Sequence, residues 1–298
     1  MTEGERWPEH IRQANNRRVP VVCINARLSD RSFRRMRQFG FARQAVFGGI
    51  DRLLACSHHD AARFRELGFS AARMLTTGNI KLDLKIPRLS DRERVQLRRE
   101  LGLGDGLVLL GSSTWPGEET ALLDAWKAVK AQGVDCSLLI VPRHAERRPE
   151  LERLMREAQQ LVHFRSRGPA MTKVDVAIGD TTGELRKFTQ LADLVFVGKS
   201  LPPNEGGQTP VEAAALEKPM LFGPQMTNFR IIARELVERG AAHQVADSAA
   251  LKNEVLTLLS DGVQRQAMAT EAGRWQRENA GAVERTLDVI REELAKRR

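Results

Sequence analysis

The stretch at residues 198–230, GKSLPPNEGGQTPVEAAALEKPMLFGPQMTNFR, decides how the chain is read. The apolar run LVFV (194–197) before it is a short buried strand, and Pro202, Pro203, Gly206 and Gly207 then exclude regular structure. Thr209 is a predicted N-cap, Pro210 suits the first helical position, and Glu212 has the spacing of a capping box. PMLF (219–222) is a second strand, closed by Gly223-Pro224. A Gly-rich loop at the carboxyl end of a strand, feeding a helix, is where α/β sheets bind anionic nucleotide ligands. From local pattern alone Glu212 has two readings, a purely structural cap or a ligand-binding carboxylate.

Outward from this stretch, apolar runs recur between helical stretches. VPVVCIN (19–25) is β-branched and continuous, as in a buried parallel strand. Residues 51–57 and 73–76 read as further strands, with His58-His59-Asp60 as polar residues at a helix start. Residues 85–90, with Pro87, read as a linker. Beyond it, strands are expected at 107–111, 137–141, 174–178 and 242–245. Helices are expected from Glu118 to about residue 132, from about 149 to 160 and from 228 to 238. Glu118 and Glu119 fall in a first helical turn, where acids favour the helix dipole. Thr181 and Glu184 also have capping-box spacing. Alternation of strands and helices indicates doubly wound parallel sheets.

The 298 residues are 42% hydrophobic and 29% charged, a composition able to bury a core, and carry a net charge of +9. That charge favours anionic partners. No nucleic-acid-binding module accompanies it, so nucleic acid is not an expected partner. Cys23, Cys56 and Cys136 are too scattered for a disulfide framework or a metal cluster, and read as reduced thiols. No metal spacing, Walker motif, GxGxxG or Ser-His-Asp signature appears. No run is apolar enough for a transmembrane helix. Arg31, Arg34, Arg35, Arg37 and Arg43 interleave with Phe33, Met36, Phe39, Phe41 and Phe47. The interleaving fits a surface for anionic lipid headgroups, or an ordinary helix packing its Phe side on a sheet. In the second half, residues 112–115, Arg143-His144, Gly183-Glu184 and 206–212 follow strand ends. In a parallel sheet these share one edge and frame a nucleotide or nucleotide-sugar crevice.

NARLSDRS (25–32), GNIK (78–81), PRH (142–144), GDTTGEL (179–185), GGQTPVEAAALEKPMLFGP (206–224) and NFR (228–230) closely resemble, in order, the motifs of the 3-deoxy-D-manno-octulosonic acid (Kdo) transferases. The resemblance covers nearly the whole chain. It implies the GT-B glycosyltransferase fold, two Rossmann-like domains with the active site between them. It also implies Kdo transfer from CMP-Kdo to a lipid A precursor in lipopolysaccharide synthesis, at the cytoplasmic face of the inner membrane, without metal or other cofactor. The protein is then expected to be cytoplasmic and peripheral on an anionic membrane surface.

The resemblance places Arg143 on the CMP phosphate and Gly183 and Glu184 at the cytidine pocket. Gly206, Gly207 and Thr209 would approach the donor, and Glu212 the ribose hydroxyls. Asn25, Arg27 and Lys81 are implied on the acceptor side. Gln208 and Thr209 stand where the family has His and Asn, Lys199 where it has Gly, and residues 112–115 depart from its Ser-Thr-His sequence. The expected domains are 1–86, an incomplete Rossmann-like domain beginning near the family's Glu-Thr-Glu-x-Trp-Pro segment, and 87–298, the CMP-sugar-binding domain. The family's glutamate base is expected to be missing from these residues, since Glu3 and Glu5 do not match its motif, and no catalytic residue is assigned. Two explanations follow, a reading that lacks its true start, which is favoured, or a non-catalytic nucleotide-sugar-binding relative. A third reading, a UDP-sugar transferase or epimerase of the same fold, is opposed by the PRH, GDTTGEL and NFR set.

Overall fold

The computed structural model describes residues 1–3, 8–38 and 47–296. The chain forms two compact units, Met1–Leu84 with Glu278–Arg298, and Lys85–Arg277. The expected linker thus begins where the second unit does. The last residues, expected in the second domain, pack instead with the first unit.

The first unit is built on three parallel strands, β1 (Val22–Ala26), β2 (Arg52–Ala55) and β3 (Met74–Thr76), in the order β1-β2-β3. Cys23, Leu53 and Ala55 are buried in its core. The helix His58–Glu66 buries Ala61 and Phe64 against them, and Phe47 meets Phe64 and Phe69 edge-on at 5.7 and 5.9 Å between centroids. Ser57 caps this helix by accepting the Asp60 N–H, and His58 and His59 are exposed. The helix Asp30–Gln38 packs the half-buried Phe33 and Met36 on the core while Arg31, Arg34 and Arg35 stay exposed. The ordinary amphipathic reading holds here, and it leaves a basic face outside. Phe39, Phe41 and Arg43 lie outside the described residues.

The helix Ala282–Ala295 joins this unit through specific bonds. The Asp83 carboxylate accepts the N–H groups of Gly281 and Val283 at 3.0 and 2.8 Å. Arg285 Nε donates to the Thr77 carbonyl at 2.9 Å, and Arg52 pairs with Glu293 at 2.7 Å. A capping carboxylate supplied from about 200 residues upstream leaves no local signal at the helix itself.

The second unit carries a fully parallel sheet of seven strands. These are β4 (Leu107–Thr114), β5 (Cys136–Pro142), β6 (Val162–Phe164), β7 (Val176–Ile178), β8 (Leu194–Val197), β9 (Met220–Phe222) and β10 (Ala242–Gln244). Their order is β10-β9-β8-β4-β5-β7-β6. β6 is unforeseen: three residues with only half-buried Val162 and His163 make too short an apolar run to read as a strand. The helices Glu118–Ala131 and Ser248–Ser260 bury Leu122, Trp126, Val129, Leu251, Val255 and Leu258 in one core cluster. Trp126 Nε1 donates to the Cys136 carbonyl at 2.8 Å, so the indole is buried without an orphaned donor. Since β4 is flanked by β8 on one side and β5 on the other, the sheet reverses its winding at β4.

If Asp83 holds the final helix, Asp83→Ala will accelerate amide hydrogen exchange at Gly281 and Val283 by about tenfold, the cost of a lost cap. Exchange unchanged at those amides would remove Asp83 from that role.

Candidate functional site

The carboxyl edge of the second unit's sheet carries every candidate donor-site residue, but the structure holds them by interactions that were not foreseen. β4 ends in a bulge at residues 112–114, with Ser113 in the left-handed region at φ 54°. Beyond β8, Lys199 is also left-handed, at φ 57°. Gly198 passes so close to the Ser113 carbonyl that a Cβ there would collide with it. The two loops are joined by one buried side chain. Glu118 Oε2 accepts the N–H groups of Lys199 and Trp115 at 2.8 and 2.9 Å, and Oε1 those of Ser200 and Leu201 at 2.8 and 3.1 Å. Burial pushes the pKa of Glu118 up, and the four donors act against that rise.

Its neighbour Glu119, equally buried, faces the other way. Both its oxygens take Arg147, at 2.7 and 3.2 Å, and Arg147 also reaches Glu150 at 2.8 Å and the Thr114 carbonyl at 3.4 Å. Arg147 lies in the short turn that follows Arg143-His144 at the end of β5. The Arg143 N–H donates to the Thr114 carbonyl at 3.1 Å, while its side chain is exposed. The Trp115 ring stands edge-on to His144 at 5.4 Å and carries Lys199 Nζ over its face at 4.4 Å. Trp115 and Lys199, two departures from the family pattern, are therefore in contact.

Neither capping box forms. The helix after the Gly-rich loop runs only Val211–Ala215, with Pro210 as its cap residue. Thr209 Oγ1 accepts the Val211 N–H at 3.3 Å, and Glu212 Oε1 accepts from Arg186 Nε at 2.8 Å. The helix after β7 begins at Leu185, so Glu184 precedes it instead of sitting in its first turn. Thr181 Oγ1 donates to Glu184 Oε2 at 2.6 Å, and Arg165 binds both oxygens of Glu184 at 3.2 and 3.3 Å while also reaching Glu100 at 2.8 Å. Burial acts to raise the Glu184 pKa, but the bonds from Arg165 and Thr181 hold it below the ordinary value. Glu184, Arg165 and Glu100 border an open pocket of about 280 Å³, which Arg92 and Lys187 also line. Gly183, at φ +87°, has open space where a Cβ would stand.

Gly206 and Gly207 are demanded by the fold itself. Both have positive φ, and side chains there would strike Asn228 and Met226. The N–H groups of Gly207 and Gln208 donate inward, to the carbonyls of Lys199 and Gly198 at 2.9 and 3.0 Å. With the amides of residues 199–201 turned to Glu118, this part of the edge offers a ligand side chains and carbonyls more than a nest of N–H groups.

In the first unit, the three acceptor-side candidates meet at Glu3. Asn25, left-handed at φ 50° and 1% exposed, accepts the Ile80 N–H at 3.1 Å and donates to Glu3 Oε1 at 3.4 Å. Lys81 Nζ lies 2.5 Å from Glu3 Oε1, and Arg27 lies 3.3 Å from Oε2. The hydrogen bond from Lys81 is the main reason the Glu3 pKa is lowered. Glu5 lies outside the described residues. Sequence reasoning missed Glu118 and Glu119 as loop anchors, and Arg165, Arg186 and Glu3 as partners. Only the adjacent acids after Gly117 left any trace, and that trace spoke of a helix start.

The profile of the Glycos_transf_N family, 3-Deoxy-D-manno-octulosonic-acid transferase (kdotransferase), matches residues 1–84, the leading part of the first unit. The 3-deoxy-D-manno-octulosonic acid transferase of Bordetella pertussis is 32% identical over 302 aligned residues, covering 99% of this chain and 68% of that protein. The C-terminal CMP-Kdo binding domain of WaaA from Acinetobacter baumannii superposes with a TM-score of 0.57 at 26% identity, over 61% of this chain and 95% of that domain. Anabaena Alr3699/HepE in complex with UDP superposes over 97% of this chain and 76% of its own, with a TM-score of 0.56 at 20% identity, a likeness of fold alone. With two α/β units built on parallel sheets, the fold is of the GT-B glycosyltransferase type. The identity to the Bordetella protein runs through both units, and the chain belongs to the 3-deoxy-D-manno-octulosonic acid transferase family.

Proposed function

We propose that this chain is a glycosyltransferase that moves Kdo from CMP-Kdo to a lipid A precursor in lipopolysaccharide synthesis. The observation that carries the proposal is the sequence identity spanning both units, joined to the likeness of 61% of the chain to a CMP-Kdo binding domain. In the reaction an acceptor hydroxyl attacks the anomeric carbon of Kdo, the new glycosidic C–O bond replaces the bond to the CMP phosphate, CMP leaves, and the hydroxyl proton is released to solvent.

In this reading the exposed guanidinium of Arg143 binds that phosphate and stabilises the charge that develops as CMP leaves. Gly183 and Glu184 border the cytidine, with Arg165 fixing the Glu184 carboxylate. Glu212 takes the ribose hydroxyls on Oε2, since the bond from Arg186 falls on Oε1. Gly206, Gly207 and Thr209 give the donor close approach. Arg27 and Lys81 meet acceptor phosphates, oriented by their shared partner Glu3, with Asn25 fixing the backbone beneath. The domains follow the two units, with residues 1–84 on the acceptor side. No described helix is long and apolar enough to cross a membrane. Peripheral association through the exposed Arg31, Arg34 and Arg35, at the cytoplasmic face of the inner membrane, completes the proposal.

The direct test is CMP-Kdo-dependent transfer of Kdo to a lipid A precursor by the purified chain. Product is expected from this chain or from a form extended upstream, run side by side; CMP binding without product from either would favour a non-catalytic relative. Arg143→Ala should weaken CMP by at least about tenfold in calorimetry without moving the thermal midpoint, as loss of a charge-assisted bond at an exposed residue predicts. Unchanged affinity would remove Arg143 from the phosphate. Glu212→Gln should weaken CMP more than it lowers the melting temperature, and the reverse order would assign Glu212 to the Arg186 ion pair alone. Sedimentation with anionic liposomes should show binding that fades as salt rises, and no binding at low salt would end the membrane-surface reading.

A further inference from the structure

The two adjacent buried acids at the start of the helix Glu118–Ala131 are unusual in where their bonds go. Burying a carboxylate is costly unless it is fully satisfied, and here two are buried in succession. Neither acid has its main partners within its own helix. Glu118 reaches toward β8 and takes three consecutive N–H groups of the 199–201 segment, besides that of Trp115. Glu119 reaches toward β5 and holds Arg147, which in turn touches the Thr114 carbonyl that accepts the Arg143 N–H. β4 lies between β8 and β5, so one helix start grips the loops on both sides of the place where the sheet reverses its winding.

Strain is held on the β8-side loop and on the end of β4 between the two gripped loops. Ser113 and Lys199 both hold left-handed backbone, which side-chain-bearing residues adopt only where surrounding contacts over-determine it. On the β8 side the loop leads through Gly207 and Gln208, bonded to Lys199 and Gly198, into Thr209 and Glu212. On the β5 side it carries Arg143. The distance between these two walls decides whether a nucleotide phosphate and its ribose are met together.

We propose that Glu118 and Glu119 are paired positioning residues that set the two walls of the nucleotide crevice independently, Glu118 the Lys199–Glu212 wall and Glu119, through Arg147, the Arg143 wall. The assignment rests on the proposed CMP site for its consequence in binding, but the loop anchoring itself does not. An amide in place of Glu118 turns an NH₂ group toward N–H donors, leaving part of the loop unheld. In place of Glu119, an amide gives up the charge that fixes Arg147.

The test is a pair of double-mutant cycles on the full chain, read by CMP calorimetry and by amide exchange without ligand. Glu118→Gln and Glu119→Gln should each raise the CMP dissociation constant by about tenfold or more, the scale of a lost charge-assisted bond. Combined with Arg143→Ala, Glu119→Gln should add less than about threefold, because both act on one wall. Glu118→Gln should multiply its full effect, because it acts on the other. Without ligand, Glu118→Gln should speed exchange at Lys199, Ser200 and Leu201, and Glu119→Gln at Arg143. Equal additivity in both cycles, or exchange that rises uniformly across the sheet, would overturn the proposal and leave the two acids as general stabilisers. A wild-type chain that does not bind CMP would sink the proposed function, while the exchange pattern would still decide the anchoring. Should Glu118→Gln fail to fold, Glu118→Asp keeps the charge while shortening its reach, and Arg147→Lys breaks the fork on Glu119; both are read by the same criteria.

Discussion

The second unit depends on a buried carboxylate just beyond the carboxyl end of its strand β4. A parallel sheet leaves loops at the carboxyl ends of its strands, and those loops must be held by something other than strand pairing. Glu118 does this with four backbone donors from two loops, and the low-dielectric surroundings that make an unsatisfied carboxylate costly also make those bonds strong. The bulge at Ser113, the left-handed Lys199 and the close passage of Gly198 are arranged around it. The Gly-rich loop is laid on top, bonded to Gly198 and Lys199. Glycine at 206 and 207 is thus explained by packing before any ligand is considered.

The distribution of charge follows a similar economy. Many arginines of this basic chain are engaged in holding loops: Arg147 on Glu119, Arg165 between Glu184 and Glu100, Arg186 on Glu212. Arg143 differs, exposed and fixed through its backbone. In the first unit, a single acid at residue 3 gathers Arg27 and Lys81 into one cationic group in place of two independent charges.

How much of this could be read from the sequence varied with the range of the interaction. Strands buried on both faces were legible as continuous apolar runs, and β4, β5, β8 and β9 fall close to where VIL-rich segments place them. The helix His58–Glu66 was legible from the polar run His58-His59-Asp60 that opens it, although its cap, Ser57, reads as the end of the preceding strand. The capping boxes at Thr181 and Thr209 failed because spacing alone does not say where a helix begins. Pro210 became the cap residue, and Arg186, which lies 26 positions away, recruited Glu212. The site residues were legible as strand-end motifs, whereas their supports were not. Glu118 and Glu3 act through partners 82 and 22 residues distant, and no local pattern records such a bond. The return of the last helix to the first unit was hidden for the same reason.

That returning helix makes the first unit discontinuous, with the whole of Lys85–Arg277 inserted between its parts. During synthesis, the strands around Cys23, Leu53 and Met74 emerge well before the helix that Asp83 caps. Until residues 281–293 follow, Asp83, the Thr77 carbonyl and Arg52 lack the partners which that segment supplies. Contacts that span about 200 positions place this closure late in the order of events on the ribosome, after the inserted unit has had time to fold by its own shorter-range contacts.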